Sequence, residues 1–397
     1  MRRSSGRWAR LLVAAGVIGL TVAGCSGSPS GETPQVTTSA SAPKPVLKAA
    51  ALTLTPAKDA KDVAPGEPVS VAVADGKVGD VKLTGADGKA VGGKPRADGA
   101  GWDSAEPLGY GKTYKLTATA TGTDGKPVTS ESSFTTAKPA RQLGVSVNLV
   151  EGETVGVGLP LIFTFTGNVA DKAAAEKALK VTAEPATEGA FRWSGDKQAT
   201  WRPKDYWKSG TKIKVDAAVY GKPLGNGSYG REDKTITGAV GDKLVAVADG
   251  GTHQMTVSVN DKEVKTMPTS MGKPGHTTPA GTYTVMSEHT GYTMDSGTYG
   301  VPEDTPGGYR TFVQYAVRLS YSGIFYHSAP WSVRQQGHSN VSHGCLNLST
   351  ENTKWLMDTS KKGDVVTVQN SGGPKLESTD GWSVWQLSWD EWRTAAN

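Results

Sequence analysis

The chain has 397 residues, 37% of them apolar and 20% charged, which excludes both a single small core and wholesale disorder. At ordinary domain sizes it holds roughly two to four domains. The formal charge of +5 is carried largely by four arginines within residues 1–24, and the remainder is close to neutral, so nothing points to nucleic acid as a partner. Two cysteines exclude a disulfide scaffold.

Arg2, Arg3, Arg7 and Arg10 precede an apolar run over 11–23 that is too short for a comfortable membrane span and has the layout of a secretory signal. The run ends Val22-Ala23-Gly24-Cys25, which resembles the bacterial lipobox. That resemblance implies removal of residues 1–24 and a lipid on Cys25. Residues 26–48 are Ser, Thr, Pro and Ala with little to bury, and read with Cys25 as a lipidated, flexible tether. The expected location is therefore the extracytoplasmic face of a cell membrane.

From about residue 50 the pattern turns to period two. Tyr114, Leu116, Ala118 and Ala120 alternate with Lys115, Thr117 and Thr119, and the turn Asp124-Gly125-Lys126-Pro127 leads to a second run ending at Phe134. The pattern recurs: Trp102 and Trp201 are 99 residues apart, and GKTYKLTA over 111–118 aligns with GTKIKVDA over 210–217. Repeats of this length built from short strands predict two immunoglobulin-like sandwiches, at 49–139 and 140–240, with the tryptophans as core plugs. An Ala-, Lys- and Glu-rich stretch predicts a helix over 171–180.

Residues 241–370 break the repeat. Strands are expected over 244–248 and 255–259 across the turn Asp249-Gly250-Gly251, then over 282–286, 312–319, 324–326 and 364–368. A helix over 351–359 has Ser349 or Thr350 as its N-cap. The fold class is thus mainly β. The remaining segment, 371–397, carries Trp382, Trp385, Trp389 and Trp392 at helix-like spacing.

Chemistry concentrates in Tyr326-His327-Ser328 and Ser342-His343-Gly344-Cys345-Leu346-Asn347. A cysteine nucleophile needs a nearby base, a glycine beside it admits substrate, and an Asn offers both a donor and an acceptor to an amide. Spacing does not choose between His327 and His343 as base. A zinc site on His327, His343 and Cys345 lacks the paired ligand spacing such sites use. A lone buried thiol is the bland alternative.

With these residues the chain resembles the L,D-transpeptidases, whose YkuD-type domain places a His, a spacer and then Ser/Thr-His-Gly-Cys-x-Asn. Here fourteen residues separate His327 from SHGCLN. The likeness is to actinobacterial members of mycobacterial type with two Ig-like modules. It extends through MDSGTYGVPEDTPGGYRT (294–311), YSGIFYHSAPWSVRQQGHSNVSHGCLNLS (321–349) and DGWSVWQLSWDEWR (380–393).

The resemblance implies Cys345 as nucleophile and His327 as base, oriented by the Ser328 carbonyl. It implies His343 as a second imidazole, and an oxyanion hole from the Gly344 and Cys345 N–H groups. Tyr309, Ser322, Gly323 and Asn347 match stem-peptide contacts, Met294 and Tyr299 a flap, and Trp331 a wall. The tail is implied to pack on the catalytic domain. The implied reaction releases D-Ala from a tetrapeptide stem and makes a 3→3 peptidoglycan cross-link through a thioester, with carbapenems as acylating inhibitors. Hydrolysis of the same thioester, a carboxypeptidase activity, and a purely adhesive wall lipoprotein are the alternatives. No cofactor and a monomer are expected. No metal is expected either, because Pro223 and Asn226 stand in the 220–230 loop where carboxylates would be needed.

Overall fold

Tyr114, Leu116, Ala118 and Ala120 are buried along one face of the strand Thr113–Gly122, as period two requires. That strand belongs to a computed structural model that describes residues 46–394. Cys25, the leader and nearly all of the tether lie outside the described residues.

The strand is paired with Gly76–Gly85 and Pro127–Thr135 in a four-stranded sheet. Its hydrophobic face packs against a second sheet of Ala51–Thr55, Ser70–Ala74, Gly101–Ser104 and Gly93–Pro95, around Val71, Leu83, Trp102, Leu116 and Phe134. The next module repeats the plan with Val145–Val147, Leu161–Phe165, Gln198–Pro203 and Gly189–Ser194 in one sheet. The other sheet holds Glu153–Val155, Lys234–Val240, Lys212–Ala217 and Leu179–Glu184. Trp102 and Trp201 are both buried, each over a glycine of the neighbouring strand, Gly93 and Gly189, where a Cβ would collide with the indole. The period near 100 therefore reflects a repeated Trp–Gly packing unit. The predicted helix spans Lys172–Ala178, capped by Asp171. It stops short of 180 because Leu179 already opens an edge strand paired with Lys212–Ala217.

The 220–230 loop makes the joint between the two sandwiches. Tyr220 Oη donates to the Leu108 carbonyl at 2.6 Å, and Tyr110 Oη donates to the Gly230 carbonyl at 2.6 Å while accepting the Gly221 N–H at 2.9 Å.

The third module packs two sheets around Met255, Tyr283, Val317, Tyr326, Leu346 and Leu356. One sheet runs Lys262–Pro268, Gln254–Val259, Leu244–Asp249, Val365–Gln369, Gly281–Thr284. The other runs Ser287–Asp295, Arg310–Arg318, Phe325–Ser328, Leu346–Leu348. The helix Thr350–Thr359 begins at Ser349, whose hydroxyl accepts the Asn352 N–H. Met286, Val365 and Trp382 extend the hydrophobic core of the second sandwich, so the two modules share buried surface.

The tail departs from expectation. Its tryptophans do not form one helical stripe: Val384–Gln386 is a single 3₁₀ turn and only Trp389–Thr394 is α-helical. The tail does pack on the catalytic domain, where Asp380 meets Ser322, the Trp382 carbonyl accepts from Thr284 and Gln386 donates to the Thr282 carbonyl, and it also reaches the second sandwich. Trp385 and Trp392 donate to the Gly158 and Ala190 carbonyls of the second sandwich, and Arg202 from that sandwich lies over the rings of Trp385, Trp389 and Trp392. A buried guanidinium needs aromatic faces and carbonyls around it, and the tail supplies both.

Candidate active site

The strands Phe325–Ser328 and Leu346–Leu348 run parallel with His327 beside Asn347, which sets Cys345 at the entrance to the second strand. The two distant motifs are thereby joined. Met294, Tyr309, His327, Trp331, His343, Cys345 and Asn347 line one cleft of about 220 Å³, completed by Thr311, Val313, Val341 and Ser342. Thr311 and Val313 were missed by sequence reasoning, although alternation along Arg310–Arg318 puts both on one face.

His327 is buried, and its Nδ1 lies 3.1 Å from the Ser328 carbonyl. A carbonyl only accepts, so Nδ1 carries the proton and Nε2 keeps the lone pair. Burial pulls this imidazole down to about 4, against the opposing Ser328 contact. Cys345 is 6% exposed, and its Sγ donates to the Gly323 carbonyl at 3.4 Å. Burial pushes the thiol up to about 12, with the Phe325 N–H and Arg318 pulling weakly the other way. The resting pair is neutral.

His343 stands at the exposed rim with its Nε2 3.1 Å from Lys273 Nζ and its ring 5.0 Å from that of His276. An ammonium only donates, so the Nε2 lone pair of His343 is already engaged. Partial burial, Lys273 and His276 hold this ring below the usual imidazole range.

Three expectations need correction. The Gly344 N–H donates to Ser342 Oγ at 3.0 Å, and that hydroxyl donates to the Cys345 carbonyl at 2.6 Å, so Gly344 does not offer its N–H to an oxyanion. What Gly344 supplies is a backbone at φ +128°. Ser322 does not line the cleft, because its N–H and hydroxyl both donate to Asp380. Gly323 also lies behind the cleft, touching Cys345 through its carbonyl. Tyr299 lies in the turn between Ser287–Asp295 and Arg310–Arg318, packs over Gly323 and accepts a hydrogen bond from Arg318 at its hydroxyl.

Asn347 donates from Nδ2 to Ser332 Oγ at 3.0 Å, while its buried Oδ1 has no partner among the described residues. An unpartnered acceptor on a residue that lines the Cys345 cleft suits a substrate N–H. Trp331 is 56% exposed and stacks near His327 as a wall, and burial holds the Tyr309 phenol above its usual range. Among the described residues no three His, Cys, Asp or Glu side chains gather as metal ligands.

The L,D-transpeptidase catalytic domain model matches residues 243–368, the module that holds this cleft, and a bacterial Ig domain model spans 60–223 across both sandwiches. The chain is 46% identical over 326 residues to L,D-transpeptidase 2 of Mycobacterium tuberculosis (strain CDC 1551 / Oshkosh), covering 82% of this chain and 80% of that protein. This protein belongs to the L,D-transpeptidase family. It is also 36% identical over 350 residues to L,D-transpeptidase 5 of Mycobacterium tuberculosis (strain ATCC 25618 / H37Rv), covering 86% and 76%. A solved structure of the LD transpeptidase LdtMt1 in complex with imipenem matches at TM-score 0.51 and 38% identity, over 58% of this chain and all of that one. The transpeptidase thus carries its catalytic domain behind Ig-like modules and is mainly β throughout.

Proposed function

We propose that this L,D-transpeptidase cross-links peptidoglycan stem peptides through a thioester on Cys345. The observation that carries the reading is that Cys345 and His327 open onto one cleft, with the His327 tautomer set by the Ser328 carbonyl. Cys345 Sγ attacks the carbonyl of the third stem residue, a diamino acid, as its proton passes to His327 Nε2. The tetrahedral intermediate collapses, the bond to the terminal D-Ala breaks, and His327 returns the proton to the leaving amine. The side-chain amine of a second stem then attacks the thioester. His327 takes its proton, and the thiol is regenerated as the 3→3 amide forms.

The Cys345 N–H serves the oxyanion, because that of Gly344 is engaged. Asn347 Oδ1 accepts a substrate N–H, and Tyr309 and Trp331 flank the stem. A carbapenem would acylate Cys345 at the same position, consistent with the imipenem complex of the related LdtMt1. A lipid on Cys25 and the tether that follows would hold this body at the outer membrane face, within reach of the wall.

The test incubates the purified full chain with disaccharide-tetrapeptide and follows products by mass spectrometry beside Cys345→Ala. A dimer lacking one D-Ala and absent from the control is expected. Tripeptide monomer alone would establish hydrolysis in place of cross-linking. Cys345-independent turnover would overturn the assignment.

A further inference from the structure

Asp380 lies outside the cleft, in the tail just ahead of its first tryptophan, Trp382. Its Oδ1 accepts the Ser322 N–H at 2.8 Å and its Oδ2 accepts the Ser322 hydroxyl. One carboxylate therefore takes both donors of one residue. Charge-assisted bonds of this kind are roughly twice as strong as neutral ones.

Ser322 sits in the turn that joins Arg310–Arg318 to Phe325–Ser328. That turn is tied from within: Ser320 Oγ is 2.9 Å from Ser322 Oγ and accepts the Ile324 N–H at 3.0 Å. Gly381, next to Asp380, is packed onto it so closely that a Cβ there would lie 2.9 Å from Ser320 Cα and 3.0 Å from the Leu319 carbonyl oxygen. On the other side Tyr299 covers Gly323, which holds φ +93° and has ring carbons 2.6 Å from where a Cβ would be. The turn is clamped between the tail and Tyr299. Among the described residues its one hydrogen bond to the reacting group is at the Gly323 carbonyl, which accepts the Cys345 thiol.

We infer that Asp380 is a positioning residue for acyl transfer, holding the 320–323 turn so that the Gly323 carbonyl keeps Cys345 Sγ aimed into the cleft. The inference rests on the reading of Cys345 as nucleophile. It separates two roles for Ser322. A stem contact would act through KM, whereas a link in the clamp acts through kcat, because displacing a reacting atom costs rate while leaving substrate contacts in place.

The experiment uses the full chain in detergent with Asp380→Ala, Asp380→Asn, Ser322→Ala and the Ser322→Ala/Asp380→Ala pair. Turnover of disaccharide-tetrapeptide is measured together with carbamidomethylation of Cys345 by iodoacetamide, mapped by peptide mass spectrometry. Asp380→Ala should lower kcat about tenfold with KM within about twofold, and the double variant should be no worse, since both changes break one link. Cys345 alkylation should quicken, because the Gly323 bond favours the protonated thiol. Asp380→Asn keeps an acceptor for the Ser322 N–H and should retain most of the rate.

Unchanged kcat and alkylation in Asp380→Ala, with only a lower melting temperature, would reduce Asp380 to a tail anchor and overturn the inference. A rise in KM alone would overturn it in favour of a stem contact. If Asp380→Ala does not fold, Ser322→Ala decides, with about a threefold loss of kcat expected and no change overturning. Turnover by Cys345→Ala would sink the nucleophile reading, a separate result.

Discussion

His327 and Cys345 face one cleft as a neutral pair, the imidazole held low and the thiol held high by the same burial. Among the described residues no hydrogen bond joins them, because the thiol donates to Gly323 instead. A neutral pair favours proton transfer to His327 in step with attack, the S–H turning from the Gly323 carbonyl toward Nε2 while Sγ keeps its place. A preformed thiolate–imidazolium pair would react with iodoacetamide at a rate that levels off near neutral pH. This neutral pair should show carbamidomethylation of Cys345 rising about tenfold per pH unit from about pH 6 to 9 without a plateau. Turnover should persist down to about pH 5, because His327 gains its second proton only near 4.

Gly344 is required by its backbone. At φ +128° an L side chain is strained, and a Cβ would also lie 3.2 Å from Ile324 Cδ1. Gly344→Ala should cost roughly 1–3 kcal/mol of stability, read by thermal melting. Its turnover should fall by about a hundredfold, because the strain is relieved at the residue that precedes the nucleophile.

The parts of this molecule that were legible in sequence are those where one strand or one motif carries the whole signal. Tyr114 to Ala120 alternate because one face is buried, and Trp102 and Trp201 repeat because each plugs a sandwich over a glycine. The strand Ser287–Asp295 escaped notice because SEHTGYTMD has few apolar residues to alternate and holds Gly291 at φ +68°. Its order comes from pairing with Arg310–Arg318, which is not a local property. The tail misled for a related reason. Spacings of three, four and three mimic a helix, yet Arg202, nearly two hundred positions upstream, decides where those rings go. Lys273 beside His343 and Asp380 beside Ser322 were equally invisible, since contacts across 70 and 58 positions leave no periodic trace.

Arg202 should prove to be the anchor of the tail. It is 2% exposed, donates to the Leu387 and Ser388 carbonyls, and sits 4.8 Å from the Trp385 ring centre and 5.1 Å from that of Trp392. Burial pulls it down to about 10, with Tyr206 and Asp205 pulling the other way, so it stays charged at neutral pH. Arg202→Ala should cost roughly 2–4 kcal/mol in chemical denaturation and render the segment after residue 382 sensitive to protease. Arg202→Lys should not restore it, since a compact ammonium cannot stack on several rings and reach two carbonyls at once.

Asp364 gives the body a pH-dependent joint. Its side chain is inaccessible at the seam with the second sandwich, where Gly156 and Gly158 donate to the Lys362 and Gly363 carbonyls and Lys362 pairs with Glu153 at 2.6 Å. Burial raises the Asp364 carboxyl to about 6, despite the Lys361 ammonium at 3.1 Å, and Glu288 pushes it the same way as burial. A carboxyl held above its unfolded value binds its proton more tightly in the folded state. Its contribution is therefore full below about pH 4 and is lost as pH rises through 6. Two pKa units correspond to roughly 3 kcal/mol. The melting temperature of the native protein should accordingly gain from this group as pH is lowered from about 7 to 5. Asp364→Asn, which keeps an acceptor for the Lys361 N–H but has no proton to take up, should flatten that part of the profile. An unchanged slope in Asp364→Asn would assign the dependence to another carboxyl, with Glu288, held above its usual range by desolvation, the next to test.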